Sequence, residues 1–563
     1  MTNLLIFSAI AAAIVTFLMF PFFPAKVTGE TEAPKRRIPF SFLIGFFIII
    51  LIGTAIFYYT TNLDYNFTSL WIMIIVATIL GALFSNGLER KVKLFLSLAS
   101  IIVGLYFSLA FLFNADEKYE QATMEVKEEI EVFDESKKPA SVPPSYAENK
   151  MKKAFSQVPN TSYYELGRLQ IQKVNDDYVY VAPVEFATIW RWFKGKETPG
   201  YFMVSATDSS ANPVFVKQEM AYTPSAFFNK DVTRYMRLQN PNLIFYGDVQ
   251  LEIDEDQTPY YIRSYGKFIS ARNGFDVEGI VMVNAQTGEM NKYTLDEVPA
   301  FIDGAVAPEV VSLNNSYYGK YVHGYVNSIL SKKDVKLPSD EGIDANVSPI
   351  FDANGEMFYF TDFTSPKEGV DSMLGYSLTN ARTGEATYYT GSETQSYMDS
   401  AGALQIVEKK FIEKQWFGQM PIIYNFYGEA SWLAPVLDTN GFLQNYFIVS
   451  ASNPEISAFG STPNEALRSY KAALTKANNG TLDSVSGSDQ LTVTGQVVRV
   501  YKEKIDENVV VNFYLSNKQN YVVTSQTNHL AIYLSEGDTV SITYYNTGEQ
   551  FLPVKELKIS GLE

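Results

Sequence analysis

The densest cluster of candidate metal ligands in this sequence is Glu252, Asp254, Glu255 and Asp256, just ahead of Thr258-Pro259. Ca2+ is a hard cation that draws several oxygen ligands from a turn, so carboxylates this close are the first place to look for one. The segment lacks the spacing and the glycine of an EF-hand loop. A solvated strand end is the preferred reading, with calcium left open. Asp352/Asn354 and Asp438/Asn440 precede Gly355 and Gly441, and read as hairpin turns rather than cation sites. His323 lies in the tyrosine-rich stretch Tyr317–Tyr325, and acid–base work would need a nucleophile or carboxylate partner that the sequence does not identify. It is read as structural. The chain has no cysteine and only one other histidine, His529, which excludes disulfides, thiolate zinc sites, iron–sulfur clusters, Cys nucleophiles and an HExxH helix. The expectation is a chain with no catalytic, metal-binding or cofactor-binding residue and no cofactor.

The charges divide the chain in two. Residues 1–114 carry 7 Lys/Arg against 4 acids, and the remainder carries 38 against 58, so the first part is +3 and the second −20. Nucleic-acid affinity comes largely from clustered Lys and Arg, so an acidic main body argues against DNA or RNA as partner. Absence of cysteine fits an extracytoplasmic location.

Apolar runs at Leu4–Phe23, Phe40–Tyr59, Leu70–Leu83 and Leu94–Phe113 predict a four-helix transmembrane anchor over 1–114. The third run reaches span length only by borrowing flanking residues. Lys26, Lys35, Arg36 and Arg37 fall between runs one and two, Arg90, Lys91 and Lys93 between runs three and four, and Tyr59–Ser69 has no basic residue. The positive-inside rule then makes both basic loops cytoplasmic and puts the N-terminus and everything after 114 outside. No ionisable residue lies inside a run, which favours an anchor over a transporter.

Residues 115–144 read as a polar juxtamembrane helix over Asp116–Lys138 that ends by Pro139, then a proline-broken linker at Ser141–Pro144, together lifting the body from the bilayer. From 145 to 479 short aromatic and β-branched runs alternate with Asn-Gly and Thr-Gly turns, the pattern of antiparallel hairpins. Val283–Tyr293 (VNAQTGEMNKY) aligns without gaps with Thr379–Tyr389 (TNARTGEATYY), and the register continues through Glu297/Glu393, Phe301/Tyr397, Asp303/Asp399 and Ala305/Ala401. Pro349–Gly355 pairs with Pro435–Gly441 as a second repeat. Pro183–Lys194, Ala401–Gln415 and Asn464–Ala477, the last opening after Ser461–Thr462, read as helices. In the first, Trp190, Trp192 and Phe193 are read as core-facing rather than dipping into the membrane interface. After the linker Asn478–Ser488, strand candidates at Leu491–Tyr501, Val509–Leu515, Asn520–Ser525, Leu530–Leu534 with Thr539–Tyr545, and Phe551–Ile559 resemble a small OB-like barrel over 489–563.

The two Asn-Ala-x-Thr-Gly-Glu hairpins, at 283–293 and 379–389, resemble the end of a PepSY repeat, a helix-plus-hairpin module of bacterial envelope proteins and protease propeptides, with Asn284 and Asn380 where Asp is commonest. That resemblance implies binding or regulation outside the membrane, with a peptidase among the candidate partners, and carries no catalytic residue over. The expected fold is thus a four-helix anchor, an extracytoplasmic α+β body of repeated hairpins and a terminal OB-like barrel. The expected function is a non-catalytic binding or scaffolding protein of the bacterial envelope, partnered by the bilayer and by envelope proteins. A structural subunit of a multiprotein membrane or secretion complex and a carboxylate-using envelope hydrolase are the rivals.

Overall fold

The computed structural model describes residues 1–21, 39–128, 142–352, 354–367, 369–390, 397–477, 490–505, 508–525, 528–545 and 551–562. Helices α1 (Thr2–Met19), α2 (Phe40–Thr61), α3 (Trp71–Phe84) and α4 (Gly87–Phe113) open the chain. Three of them, α1, α2 and α4, are long and apolar enough to cross a membrane. With 14 residues, α3 covers only about 21 Å at 1.5 Å per residue, less than a hydrocarbon core of ~30 Å. Close contacts hold the helices together. A Cβ on Gly81 would collide with the Leu18 carbonyl and one on Gly104 with the Trp71 indole, so these glycines let neighbouring helices approach. Lys93, buried, donates to Phe20 O at 2.7 Å, the free carbonyl end of α1, and to Ser85 Oγ at 3.1 Å, and pairs with Glu89 at 2.9 Å. Lys26 and Lys35–Arg37 lie outside the described residues.

The segment after α4 is not the expected long helix. Helix α5 spans only Ala115–Gln121, and strand β1 (Glu125–Lys127) then pairs in parallel with Thr387–Tyr389. Tertiary contacts override the Glu/Lys composition. Ala122 and Met124 are buried with Tyr318, Phe363 and Tyr388, and the Lys118 amine lies 5.3 and 5.5 Å from the Tyr317 and Tyr321 rings. The chain thus joins the body directly instead of standing off from it. The remainder of the expected helix, 129–138, and the break at Pro139 lie outside the described residues.

From residue 144 one plan recurs four times: a helix, two short strands in succession along one edge of a third strand, and an antiparallel meander that the third strand begins. The first module has α6 (Pro144–Ala154), β2 (Tyr164–Leu166) and β3 (Gln170–Val174) on β4 (Asp177–Phe186), helix α7 (Ile189–Gly195), then β5 (Tyr201–Ser205) and β6 (Val214–Val216). The second has α8 (Val232–Gln239), β7 (Ile244–Phe245) and β8 (Gln250–Ile253) on β9 (Pro259–Ile269), then β10 (Gly274–Asn284) and β11 (Met290–Thr294). The third has α9 (Pro308–Lys320) and α10 (Gly324–Ile329), β12 (Leu337–Pro338) and β13 (Ser348–Phe351) on β14 (Met357–Thr364), then β15 (Ser372–Asn380) and β16 (Ala386–Tyr389). Strand β17 (Tyr397–Met398) on β15, and β1 on β16, widen that sheet. The fourth has α11 (Ser400–Lys410), β18 (Phe417–Gly418) and β19 (Ile422–Phe426) on β20 (Glu429–Leu437), then β21 (Leu443–Ser450) and β22 (Ser457–Gly460).

Burial explains the continuous apolar runs. In β4, Val179 and Val181 face a core shared with α8 and with Tyr261, Val281 and Val283 of the second sheet, whereas Tyr180, Ala182 and Val184 face a second core with Ala147 and Met151 of α6. Both faces are covered, so alternation disappears. This corrects the helix expected from Pro183: residues 183–186 complete β4, and the helix starts only at Ile189 behind the Thr188 cap.

The described chain separates into two compact units, residues up to 422 with 435–444 in one, and 423–434 with residues from 445 onward in the other. The boundary passes through the fourth module. In the second unit, α12 (Pro463–Ala477) packs on β22 and is capped by Thr462, whose Oγ1 accepts from Glu465 N at 3.2 Å, while Glu465 Oε2 reaches back one residue further and accepts from Ser461 N at 2.8 Å. Strands β23 (Gln490–Ile505), β24 (Asn508–Leu515), β25 (Asn520–Thr524), β26 (Thr539–Tyr545) and β27 (Phe551–Ile559) close into a barrel in the order β23-β24-β25-β27-β26. The expected strand at Leu530–Leu534 is instead part of a 3-10 helix, His529–Tyr533, with Ala531 in the barrel core. The linker 478–488 lies outside the described residues.

Candidate functional site

The two Asn-Ala-x-Thr-Gly-Glu segments are the same turn bond for bond. Asn284 Oδ1 accepts from Gln286 N (3.0 Å) and Thr287 N (2.9 Å), and Gly288 N donates to Asn284 O (2.9 Å). Asn380 Oδ1 accepts from Arg382 N (2.9 Å) and Thr383 N (3.1 Å), and Gly384 N donates to Asn380 O (2.9 Å). Gly288 and Gly384 have φ of 80° and 79°, a region that favours glycine. Both turns reach back to the segment behind the preceding module. Ala221 and Tyr222 donate their N–H to Ala285 O at 2.9 Å, and Val306 donates to Ala381 O at 2.9 Å. The variable third position adds to this: Gln286 bonds Gln218 at 2.8 Å, and the Arg382 guanidinium donates to the carbonyls of Val298 (2.9 Å), Pro299 (3.0 Å) and Ile302. These turns are clasps between consecutive modules.

Of the acidic cluster, Asp254, Glu255 and Asp256 form the hairpin turn between β8 and β9, whereas Glu252 lies within β8 and is buried rather than solvated. Asp254 Oδ1 accepts from Asp256 N (3.0 Å) and Thr258 N (2.8 Å), and Gln257 takes φ 62°. Asp352 forms the same turn between β13 and β14, accepting from Asn354 N and Glu356 N at 2.8 Å, with Gly355 at φ 82°. Asp438 repeats it at 2.9 Å to Asn440 N and Phe442 N, but between β20 and β21. The sequence match of Pro349–Gly355 with Pro435–Gly441 is therefore one turn type at two different positions of the module. Among the described residues no group of three or more His, Cys, Asp or Glu is placed to hold a metal ion.

Other acids are buried singly or in pairs. Glu185 accepts from the Ser225 hydroxyl, from Ser225 N at 3.2 Å and from the Tyr261 hydroxyl at 3.1 Å, and burial raises it to about 7. Glu252 is enclosed beside Asp303. Burial and that neighbouring charge push Glu252 well above the usual carboxylate range, and its Oε2 is buried without a hydrogen-bond partner among the described residues. Asp303 accepts from Lys173 N at 2.5 Å and is raised by burial to about 6. Asp362 accepts from Ser400 N and Oγ at 2.9 Å at the start of α11, and burial lifts it to about 6. Glu185, Asp303 and Asp362 satisfy backbone and hydroxyl donors, and Asp362 with Ser400 also lines a narrow crevice beside Ser339, Glu341 and Asn346. The sequence signal was available, since Glu185 and Asp362 interrupt otherwise apolar strands.

His323 has the carboxylate partner that the sequence did not identify: Nε2 lies 2.8 Å from Asp334 Oδ2, with both side chains about half exposed. Trp192 is buried with Phe186 and Ala226, as expected, but Trp190 is 73% exposed and Phe193 also faces outward. A shallow open cleft of about 320 Å3 lies beside the first clasp, lined by Tyr235, Gln239, Asn240, Gly288 and Lys292.

The most constructed polar site is the junction between the helices and the body, which the sequence reading missed. Helix α8 directs Arg234, Arg237 and Leu238 to one face, at helical spacing. Arg234 Nε donates to Tyr59 O at 2.7 Å while its guanidinium stacks 4.5 Å from the Tyr59 ring. Arg237 donates from Nε to Asn62 O at 3.2 Å and from Nη1 to Leu243 O at 2.5 Å, and burial lowers it to about 10. Arg272 makes a two-pronged pair with Asp64, at 3.0 and 3.3 Å. Around them Leu4, Ala11, Tyr58 and Leu70 form an apolar cluster with Phe7, Tyr65, Phe67 and Leu238. The signal in the sequence was Asp64, the one charged residue in Tyr59–Ser69.

In comparisons with known proteins, no family model and no curated protein matches this chain.

Proposed function

We propose that this chain is a non-catalytic, membrane-anchored binding or scaffolding protein of the bacterial cell envelope, with its N-terminus and body outside the cytoplasm. The observation that carries the reading is the junction: three arginines grip the last turn of α2 and the loop that follows it, so the modules of the first compact unit are seated on the helices. On this reading α3 completes a fourth span with the help of the turn Thr68–Leu70, and the basic residues between α1 and α2 and near Arg90–Lys93 lie on the cytoplasmic side. The clasp modules are PepSY-like and the closed barrel OB-like, and both are read as surfaces for envelope proteins rather than nucleic acid.

A second reading, a structural subunit of a multiprotein membrane complex, is favoured by one observation: only 6% of the apolar window of α2 and 11% of that of α4 is buried, leaving wide faces for other helices. Purification of the full chain in mild detergent from crosslinked cells tests the two. Isolated protomers with varied, substoichiometric partners are expected for the scaffold; a single complex of fixed stoichiometry overturns it in favour of the subunit.

A further inference from the structure

Two apolar tips of the body stand beside the ends of the helices. The first runs outward from Tyr59 at the end of α2. Its hydroxyl bonds Asn229 Oδ1 at 3.3 Å, and the neighbouring Phe228, 50% exposed, has its ring 6.1 Å from that of Phe193, which in turn lies 6.2 Å from the Trp190 indole. The second begins at Phe111 near the end of α4, whose ring is 5.2 Å from that of Tyr325, and continues along α10 through Val326, Ile329 and Leu330. Among the described residues, Leu330 (78%) and Trp190 (73%) are the two most exposed large apolar side chains outside helices α1–α4. Solvent exposure of this kind in otherwise well-buried modules marks a surface meant to be covered.

We propose that both tips are buried in the headgroup region of the bilayer that holds the helices, so that the body rests on the membrane at two points flanking its anchor. Continuity identifies the occupant: each tip is in contact with the last turns of a membrane-length helix, at the level where hydrocarbon gives way to headgroups. Trp is at home there, its ring in the apolar edge and its N–H toward water. The charges agree. Arg191, Lys194, Lys196 and Lys230 adjoin the residues of the first tip in the sequence, with the Lys196 amine 5.2 Å from the Phe193 ring, and Lys332 and Lys333 follow the second, in a body that is acidic overall. Basic residues next to inserted apolar ones are the pattern of contact with anionic lipid.

The proposal rests on α1–α4 being a membrane anchor, and the test separates the two claims. The chain has no cysteine, so single substitutions W190C, F228C, L330C, I48C and E255C can each carry an environment-sensitive fluorophore in the full chain, reconstituted without other proteins into phosphatidylcholine–phosphatidylglycerol vesicles with a lipid-borne quencher. The substituted body positions are solvent-exposed and lose little packing, and thermal midpoints of the labelled variants check that each is folded. Loss of emission at 190, 228 and 330 as well as at 48, with none at 255, is expected. Quenching at 48 with 190, 228 and 330 as bright as 255 overturns the lipid contact and leaves the anchor standing; no quenching at 48 overturns the anchor itself. Replacing phosphatidylglycerol by phosphatidylcholine is expected to weaken quenching at 190 and 228, and an unchanged signal there overturns the role given to the lysines.

Discussion

Glu185 sits among Ser225, Tyr261 and the apolar side chains of β4, and burial holds its carboxyl at about 7 against an ordinary 4.5. Its proton is bound more tightly folded than unfolded. The stabilisation this gives is complete below pH 4.5, drains away as pH rises to 7 and is absent above, a span of roughly 3 kcal/mol. E185Q removes the titration while adding a fixed offset, because the amide must face the Ser225 N–H. The thermal midpoint of E185Q is therefore expected to gain on the wild type between pH 5 and pH 8; a difference that does not vary with pH contradicts the assignment. Arg272 poses a simpler question. R272A leaves the largely buried Asp64 carboxylate without its two-pronged partner, a loss of about 1–3 kcal/mol. Faster amide hydrogen exchange over Asn62–Ser69 is the expected sign, and unchanged exchange there would remove Asp64 from the junction.

Turns are where sequence and element meet in this protein. Gly288 and Gly384 share one backbone conformation, but a Cβ at 288 would collide with the Tyr222 ring, while one at 384 meets only Val306 at 3.5 Å. G384A should lose about 1 kcal/mol, the strain of a left-handed alanine, and G288A clearly more. Equal losses in thermal midpoint would mean that the first turn is not clasped against the segment 218–222. R382A strips the second clasp of its bonds to the carbonyls of Val298, Pro299 and Ile302, and limited proteolysis within 298–306 is expected to accelerate; an unchanged digest would contradict the clasp. These turns were legible because each residue of Asn-Ala-x-Thr-Gly-Glu has a local task that spacing alone reveals. The sheets around them were not. Strands β7, β12 and β18 are two residues long, too short for any periodicity, and exist only because the long strand beside them offers an edge. The connector was misread for the same reason: Glu125–Lys127 has helical composition but gains a partner strand at Thr387–Tyr389. The arginines of the junction carry no motif, and only the fold brings α8 to the loop after α2.

At the scale of the molecule, the modules of the first compact unit are tied to the apolar helices through a polar clamp, which makes helices and modules one mechanical object. We propose that this object faces away from the cytoplasm, on the ground of where the lysines and arginines of 1–114 lie. Paired fusions of alkaline phosphatase and of a fluorescent protein that matures only in the cytoplasm, each joined to the C-terminus of the full chain in bacterial cells, test it most directly. The account predicts an active phosphatase and a dark fluorescent fusion; a bright fluorescent fusion with inactive phosphatase would contradict it.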